Sequence, residues 1–162
     1  MATNEISRTA AVEAYRADLN QRVVDGGADE ANRAIIAEFR ATGGKVGGVF
    51  TGTPLLLLTT TGAKSGEPRT TPVCYTRDGE RYVVLASKAG APTNPAWYHN
   101  LLAHPRATVE LGGETFAVSS SVVSGEERDR LFAAQAALLP FFAEYQQKAS
   151  RRIPVAVLEP LR

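Results

Sequence analysis

The sequence predicts an α+β fold built around a small, mainly antiparallel β-barrel. Between residues 53 and 123, short apolar and β-branched runs alternate with turn residues, as in a protein made of hairpins. Two of the turns, Asp78-Gly79 and Gly112-Gly113, are typical of tight hairpins. Helical patterns stand before and after this region, which favours α+β over all-β. No G-x-G-x-x-G joins a strand to a helix, so a Rossmann sheet is not expected.

Residues 1–50 are predicted to form a helical segment that packs on the barrel, and residues 51–162 to form the barrel itself. Apolar side chains recur at helical spacing over 12–23, and a second helix is expected from about Asp29 to Thr42, ending at Gly43-Gly44. The polar faces of both helices mix acidic and basic residues. That pattern favours helices that pack on protein over helices that lie on a membrane, although weak peripheral contact stays open.

Within the barrel region, the run LLLLTTT predicts a buried strand. Asn94 is expected to cap a short helix with Pro95 at its first position, ending at His104. The Ser-x-x-Glu pattern at 124–127 predicts a capping box and a helix to about Leu139, broken by Pro140. A further helical piece and a strand over 153–158 complete the chain.

Composition excludes several classes of protein. No apolar run approaches the roughly 20 residues of a membrane-spanning helix, and no signal peptide is visible, so a soluble, cytoplasmic protein is expected. Cys74 is the only cysteine, and His99 and His104 are the only histidines, so neither an internal disulfide nor a zinc site is expected. The net charge of +1 argues against nucleic-acid binding.

The positive charge is concentrated in the middle of the chain. Residues 53–106 hold six basic and three acidic side chains, which suggests a local site for a small anion. Lys64, Ser65 and Arg69 flank one glycine-containing turn that could hold a phosphate or carboxylate. An ordinary hairpin turn with solvated cations explains the same spacing. A nucleotide-binding P-loop is rejected because its motif order is absent.

Two later segments could also carry chemistry. Ser87 and Lys88 end a strand just before the helix that contains Trp97, whose indole suits ring stacking and core packing equally well. Near the C-terminus, Phe142 and Tyr145 could line an apolar wall, or could simply belong to the core.

Taken in order, the segments TTTGAKSGEPRTTPVCY, YVVLASKAGAPTNPAWYHNLLAHP and YQQKASRRIPVAVLEP strongly resemble the deazaflavin-dependent nitroreductases, also described as coenzyme F420-dependent quinone reductases. The resemblance runs from about Thr53 to Pro160. It implies a split β-barrel of the flavin-reductase and pyridoxamine-phosphate-oxidase type. It also implies that reduced deazaflavin is bound and that its hydride passes to an electron-poor acceptor such as a quinone, an activated C=C bond or a nitro compound.

The resemblance assigns residues to the coenzyme. Lys64, Ser65 and Arg69 are expected to contact its phosphate and oligoglutamate tail, and residues 85–88 to run beside its ring. The full set implied for coenzyme binding is Ala63, Lys64, Ser65, Arg69, Thr70, Thr71, Pro72, Val73, Cys74, Leu85, Ala86, Ser87, Lys88, Ala96, Trp97, Tyr98, His99 and Asn100. Tyr145 and Ser87 are the expected catalytic residues, as hydrogen-bond donors to the charge that develops on the acceptor. No metal ligand is expected.

Two alternatives remain open. A flavin mononucleotide (FMN) enzyme on the same barrel would use the same anion-binding turn, and a non-catalytic carrier of a cofactor or lipid would use the same pocket. Beyond a small-molecule acceptor no partner is expected, and a monomer is favoured.

Overall fold

The computed structural model describes residues 28–47 and 52–161. The chain divides into two compact units, with the boundary between Thr53 and Pro54. In the first unit, helix α1 spans Ala28–Thr42 and ends at Gly43-Gly44, as predicted. The Gly44 N–H donates to the Phe39 carbonyl at 2.8 Å. The helix predicted over 12–23 lies outside the described residues.

The second unit contains a seven-stranded antiparallel sheet. Its strands are β1 (Leu55–Thr61), β2 (Pro68–Cys74), β3 (Thr76–Asp78), β4 (Arg81–Leu85), β5 (Arg106–Leu111), β6 (Glu114–Val123) and β7 (Val155–Pro160). Their order in the sheet is β2-β1-β5-β6-β7-β4-β3. The two edge strands, β2 and β3, are consecutive in the chain with only Tyr75 between them. The sheet must therefore curl until its edges meet, which gives the predicted barrel.

Both tight hairpins form where the sequence predicts them. Asp78 pairs with Arg81 across the first turn, and Leu111 pairs with Glu114 across Gly112-Gly113. The residues that lead into the first turn, TPVCYTR, do not form one continuous strand. This run breaks at Tyr75, because its first part pairs with β1 and its last part pairs with β4.

Four helical elements accompany the sheet. They are a 3₁₀ turn at Lys88–Gly90 and the helices α2 (Ala96–Ala103), α3 (Gly125–Leu138) and α4 (Phe141–Lys148). Two predicted caps are wrong in detail. Pro95, not Asn94, is the N-cap of α2, and the Asn94 side chain accepts a hydrogen bond from Arg151 instead. Ser124 is the N-cap of α3 but makes no capping hydrogen bond through its side chain.

The two faces of the sheet pack against different partners. One face lines the barrel core, which contains Leu56, Leu58, Val73, Tyr82, Val84, Ala86, Trp97, Leu101, Ala107, Val109, Val118, Ala156 and Leu158. The opposite face joins α3, α4 and the 3₁₀ turn in an outer cluster of Val83, Leu85, Ala89, Leu131, Phe142, Tyr145, Ile153, Val155 and Val157. Trp97 and Leu101 belong to the barrel core, so α2 packs against that core.

Over the described ranges, 28–47 and 52–161, no helix is long and apolar enough to cross a bilayer. In the same part of the chain, no three His, Cys, Asp or Glu side chains are grouped so that they could hold a metal ion.

Candidate functional site

Helix α2 lies between two loops that the sequence analysis singled out, and Asn100 fastens it to the first. The Asn100 Nδ2 donates to Thr60 Oγ1 at 3.0 Å, and its Oδ1 accepts from the Ala63 N–H at 2.9 Å. Asn100 is only 7% exposed. Because both ends of its amide are already bonded to protein, Asn100 joins α2 to the β1–β2 loop (residues 62–67) and contributes to the site by positioning that loop.

The β1–β2 loop is compact and displays its cations to solvent. A Cβ added at Gly62 would lie 2.4 Å from Ser65 Oγ and 3.2 Å from the Glu67 carbonyl, so any larger residue there would force the turn to shift. The Ser65 hydroxyl accepts from the Glu67 N–H at 3.2 Å and thus shapes the turn itself. Lys64 is exposed, and Arg69 is exposed with Glu67 at 3.9 Å. Such an exposed ion pair is weak and leaves the Arg69 guanidinium accessible.

Strand β2 divides the expected contacts between two faces. Cross-strand neighbours lie on the same face of a sheet, and Thr71 and Val73 pair with the barrel-core residues Leu58 and Leu56. The alternate residues Thr70, Pro72 and Cys74 therefore face the other way. A single ligand bound to one face cannot contact all the side chains from Arg69 to Cys74.

Cys74 packs against the outer cluster. Burial raises the pKa of its thiol to about 12, so the thiol is protonated at neutral pH. The side chain acts as a small apolar group, without thiolate chemistry.

The β4–α2 loop (residues 86–95) has an unusual backbone. Lys88 and Ala89 both adopt left-handed conformations, with φ of 47° and 55°. Non-glycine residues in this region carry strain that the surrounding structure must hold in place, and such strain is common at functional sites. Leu85, Ala86 and Ser87 are buried. The Lys88 ammonium donates to Thr93 Oγ1 at 3.2 Å.

Ser87 combines a fixed backbone with an available side chain. Its carbonyl accepts from Arg151 at 2.9 Å. No residue in the described ranges hydrogen-bonds its hydroxyl, although Ser87 is only 7% exposed. The hydroxyl is therefore a suitable donor to a ligand held beside the loop.

Arg151 holds the β4–α2 loop in shape. Its guanidinium donates to the carbonyls of Ala91 at 3.1 Å, Ala86 at 3.1 Å and Ser87 at 2.9 Å, and to Asn94 Oδ1. Arg151 is not among the site residues expected from the sequence. Within the sequence RRIP, nothing distinguishes it from Arg152, which is exposed and pairs with Asp129.

The helix residues expected at the coenzyme divide by burial. Trp97 is 6% exposed within the barrel core, so its indole is a core anchor. Ala96 and His99 are exposed, and Tyr98 is half-buried. The Tyr98 and His99 rings meet edge to face, with centroids 5.6 Å apart. The exposed side of α2 thus offers an aromatic pair to a ligand.

Tyr145 lies on α4, in the outer cluster. Its ring meets Phe141 and Phe142 edge to face, with centroids 5.6 and 5.8 Å away. The backbone of α4 packs closely on the 3₁₀ turn: a Cβ added at Gly90 would lie 3.2 Å from the Tyr145 carbonyl. The two expected catalytic residues, Ser87 and Tyr145, therefore belong to elements in direct contact.

Comparison with known proteins identifies the relatives of this chain. Residues 31–160 match the model of a family described as F420H(2)-dependent quinone reductase. An F420H(2)-dependent quinone reductase of Mycobacterium tuberculosis is 42% identical over 126 residues, which cover 75% of this chain and 85% of that protein.

Solved structures agree with this match. An F420-H2-dependent reductase is 38% identical, with a TM-score of 0.61, and the match covers 65% of this chain and 94% of that one. A structure described as a domain-swapped dimer is also 38% identical, with a TM-score of 0.61, over 65% of this chain and 80% of that chain. A Listeria innocua protein assigned as a pyridoxamine 5′-phosphate oxidase, 13% identical with a TM-score of 0.50 over 67% of this chain and 84% of its own, shares the fold. The split-barrel fold expected from the resemblance is confirmed, and the chain belongs to the F420H2-dependent quinone reductase family.

Proposed function

We propose that this protein transfers a hydride from reduced coenzyme F420 to an electron-poor small molecule: a quinone, an activated C=C bond or a nitro compound. The observation that carries the proposal is the arrangement around α2. Asn100 ties the cationic β1–β2 loop to this helix, and Arg151 ties the β4–α2 loop to its start. Three segments that are distant in sequence are thereby held next to one another, which supports a single site.

The residues of this site fit an anionic coenzyme. Lys64 forms no ion pair with any described residue, and Arg69 has only a long contact to Glu67. Both can offer charge-assisted hydrogen bonds to phosphate or tail carboxylates. The Ser87 hydroxyl is available for the ring. This donor set supports coenzyme binding at the residues that the resemblance assigned.

When bound, the reduced deazaflavin supplies the hydride from a ring carbon. The residues of the chain align the acceptor and stabilise the negative charge that it gains. We expect Ser87 to donate a hydrogen bond beside the strained loop, and Tyr145 to be the aromatic donor on the neighbouring helix. We expect Ser87 or Tyr145, or water, to hold the proton that completes reduction.

A titration with F420 and FMN distinguishes the proposal from two alternatives. An FMN enzyme could use the same cations for its single phosphate, and a carrier would bind a cofactor without turnover. We expect the purified protein to be colourless and to bind F420 more tightly than FMN, measured side by side by fluorescence. Equal or tighter binding of FMN would reject the assignment, and tight F420 binding without reduction of any quinone, enone or nitro compound would favour a carrier.

The roles of Ser87 and Tyr145 can be tested separately. Ser87→Ala and Tyr145→Phe each remove one neutral donor, worth about 0.5 to 1.5 kcal/mol, so kcat/KM should fall about 2- to 13-fold. Coenzyme affinity should change little for Tyr145→Phe. If a variant reduces a menaquinone analogue and an enone at the wild-type rate, the replaced residue only lines the pocket, and water supplies the proton.

The oligomeric state and location stay predictions. The sequence favours a monomer, whereas one solved structure with 38% identity is described as a domain-swapped dimer. Light scattering on the purified protein distinguishes the two. The expected location is the cytoplasm, with at most weak peripheral contact at the inner face of the membrane. Sedimentation with anionic vesicles measures that membrane contact.

A further inference from the structure

Arg151 donates its hydrogen bonds to neutral acceptors. It forms no ion pair with any described residue, and its four hydrogen-bond acceptors are three backbone carbonyls and one amide oxygen, all neutral. These acceptors belong to Ala86, Ser87, Ala91 and Asn94, which span almost the whole β4–α2 loop. One planar guanidinium thus connects both ends of a loop that contains two left-handed non-glycine residues.

Arg151 is itself held rigidly by two helices. The Gln146 side chain on α4 donates to the Arg151 carbonyl at 2.8 Å and accepts from the Ile153 N–H at 2.9 Å. Arg128 on α3 is 9% exposed and donates to the Ile153 carbonyl at 2.7 Å. A second contact joins Arg128 to the Gln146 amide oxygen at 2.9 Å. The segment that carries Arg151 therefore has a fixed backbone, and its guanidinium has a fixed starting point.

We infer that Arg151 is the positioning residue of the coenzyme site: it fixes the β4–α2 loop in its ligand-ready shape before the coenzyme arrives. Two physical consequences follow. The strained turn at Lys88–Ala89 and the Ser87 hydroxyl are preorganised, so binding does not have to order the loop. In addition, a cation without a carboxylate partner keeps the loop electropositive toward an anionic ligand. The inference rests on the proposed function only in naming the ligand as F420.

The test compares Arg151→Ala with Arg152→Ala, its exposed neighbour that pairs with Asp129. The first readout is amide hydrogen exchange in the protein without coenzyme. In Arg151→Ala, peptides covering 86–94 should exchange about tenfold faster or more, while peptides from β1 and β5 stay as in the wild type. In Arg152→Ala, all peptides should match the wild type.

The second readout is F420 binding. The dissociation constant should rise about tenfold or more in Arg151→Ala and change less than about twofold in Arg152→Ala. Millimolar guanidinium, compared with equal sodium chloride, should partly restore binding to Arg151→Ala, which a merely structural defect would not show. If Arg151→Ala fails to fold, Asn94→Ala, which removes a single acceptor, should show smaller changes in the same direction.

The outcomes separate the two proposals. If Arg151→Ala matches Arg152→Ala in loop exchange, or exchanges faster yet binds F420 as the wild type does, the positioning role is wrong. If the wild type itself does not bind F420, the proposed function fails, and loop exchange alone decides whether Arg151 orders the loop.

Discussion

At the scale of single residues, the two exposed cations of the β1–β2 loop give the most direct test of the anion site. Lys64→Ala or Arg69→Ala should each remove charge-assisted hydrogen bonds worth about 1.5 to 3 kcal/mol, which weakens F420 binding about 10- to 150-fold. The remaining affinity should fall as salt is raised, because exposed charges are screened. Arg77→Ala, which removes an exposed cation on strand β3, is the control and should leave affinity unchanged. Salt-independent binding with wild-type affinity in both variants would show that the β1–β2 loop is an ordinary hairpin turn and not an anion site.

Cys74 offers a second test at the same scale. Since burial raises its pKa to about 12, the thiolate that reacts with disulfide reagents is nearly absent at neutral or mildly alkaline pH. We expect slow labelling by a disulfide reagent in the native protein and fast labelling in urea. Only in the unfolded protein does the thiol have a pKa near its ordinary value. The labelling rate should therefore rise with urea concentration in parallel with the unfolded fraction. Fast labelling of the folded protein would contradict the packing of Cys74 against the outer cluster.

Some residues of the candidate site could be predicted from the sequence, but their roles could not. Ser65 and Asn100 were expected to contact the coenzyme, but their hydrogen bonds to Glu67 and Ala63 show that they shape and hold the β1–β2 loop. Arg151 was missed. A guanidinium that bonds to carbonyls 57 to 65 positions earlier in the chain leaves no local pattern, so its role follows only from the fold.

At the scale of elements, the contact between the 3₁₀ turn and α4 depends on Gly90. Its φ is +81°, and a Cβ there would lie 3.1 Å from the Lys148 side chain and 3.2 Å from the Tyr145 carbonyl. Gly90→Ala should therefore cost at least about 1 to 2 kcal/mol, the usual penalty for a left-handed non-glycine residue. The matched control is Gly79→Ala, because Gly79 also has a positive φ, +63°, but nothing lies within 4 Å of a Cβ there. Denaturant unfolding measures both, and equal effects would contradict this close packing.

An ion cluster joins α3 to the β3–β4 hairpin. Hydrogen bonds from Arg130, then from Arg81, lower the pKa of Asp78 from 3.8 to about 2. A depressed folded-state pKa adds stability that is complete above the unfolded pKa and is lost as the pH falls through the folded one. The loss therefore falls between about pH 4 and pH 2.

Asp78→Asn tests this cluster. Its melting temperature should lie below that of the wild type at neutral pH, and the difference should shrink as the pH falls from about 4 toward 2. Glu80→Gln is the control on the same turn, since Glu80 forms no ion pair with any described residue. A difference between Asp78→Asn and the wild type that stays constant down to pH 2 would show that the ion cluster is not its cause.

Elements set by local sequence were the ones predicted well. The two tight hairpins and the ends of α1 and α3 depend on turn and periodic residues that lie next to each other in the chain. The break at Tyr75 could not be read in this way. It arises because β2 pairs with β1 and β3 pairs with β4, and these partners are specified by the sheet as a whole.

At the scale of the whole molecule, the pairing of β7 explains why the site needs the C-terminal part of the chain. Strand β7 lies between β4 and β6, so the C-terminal residues close the sheet beside the strand that leads into the β4–α2 loop. Arg151 stands shortly before β7 and reaches that loop because of this pairing. The barrel class was predictable from hairpins and the resemblance, but this long-range connection was not.

The division of the chain into a helical segment and a barrel leads to the last prediction. All seven strands, the barrel core and the outer cluster are formed by residues after Thr53, as are Lys64, Ser87, Asn100 and Arg151. Because a domain needs its own core to fold, a protein lacking residues 1–53 should unfold cooperatively in urea. It should also keep F420 affinity within about tenfold of the full chain, since a tenfold change corresponds to only 1.4 kcal/mol. The full-length protein measured in parallel is the control. A truncated protein that is unfolded, or that has lost all affinity for F420, would show that residues 1–53 are part of the folding unit and that the proposed division is wrong.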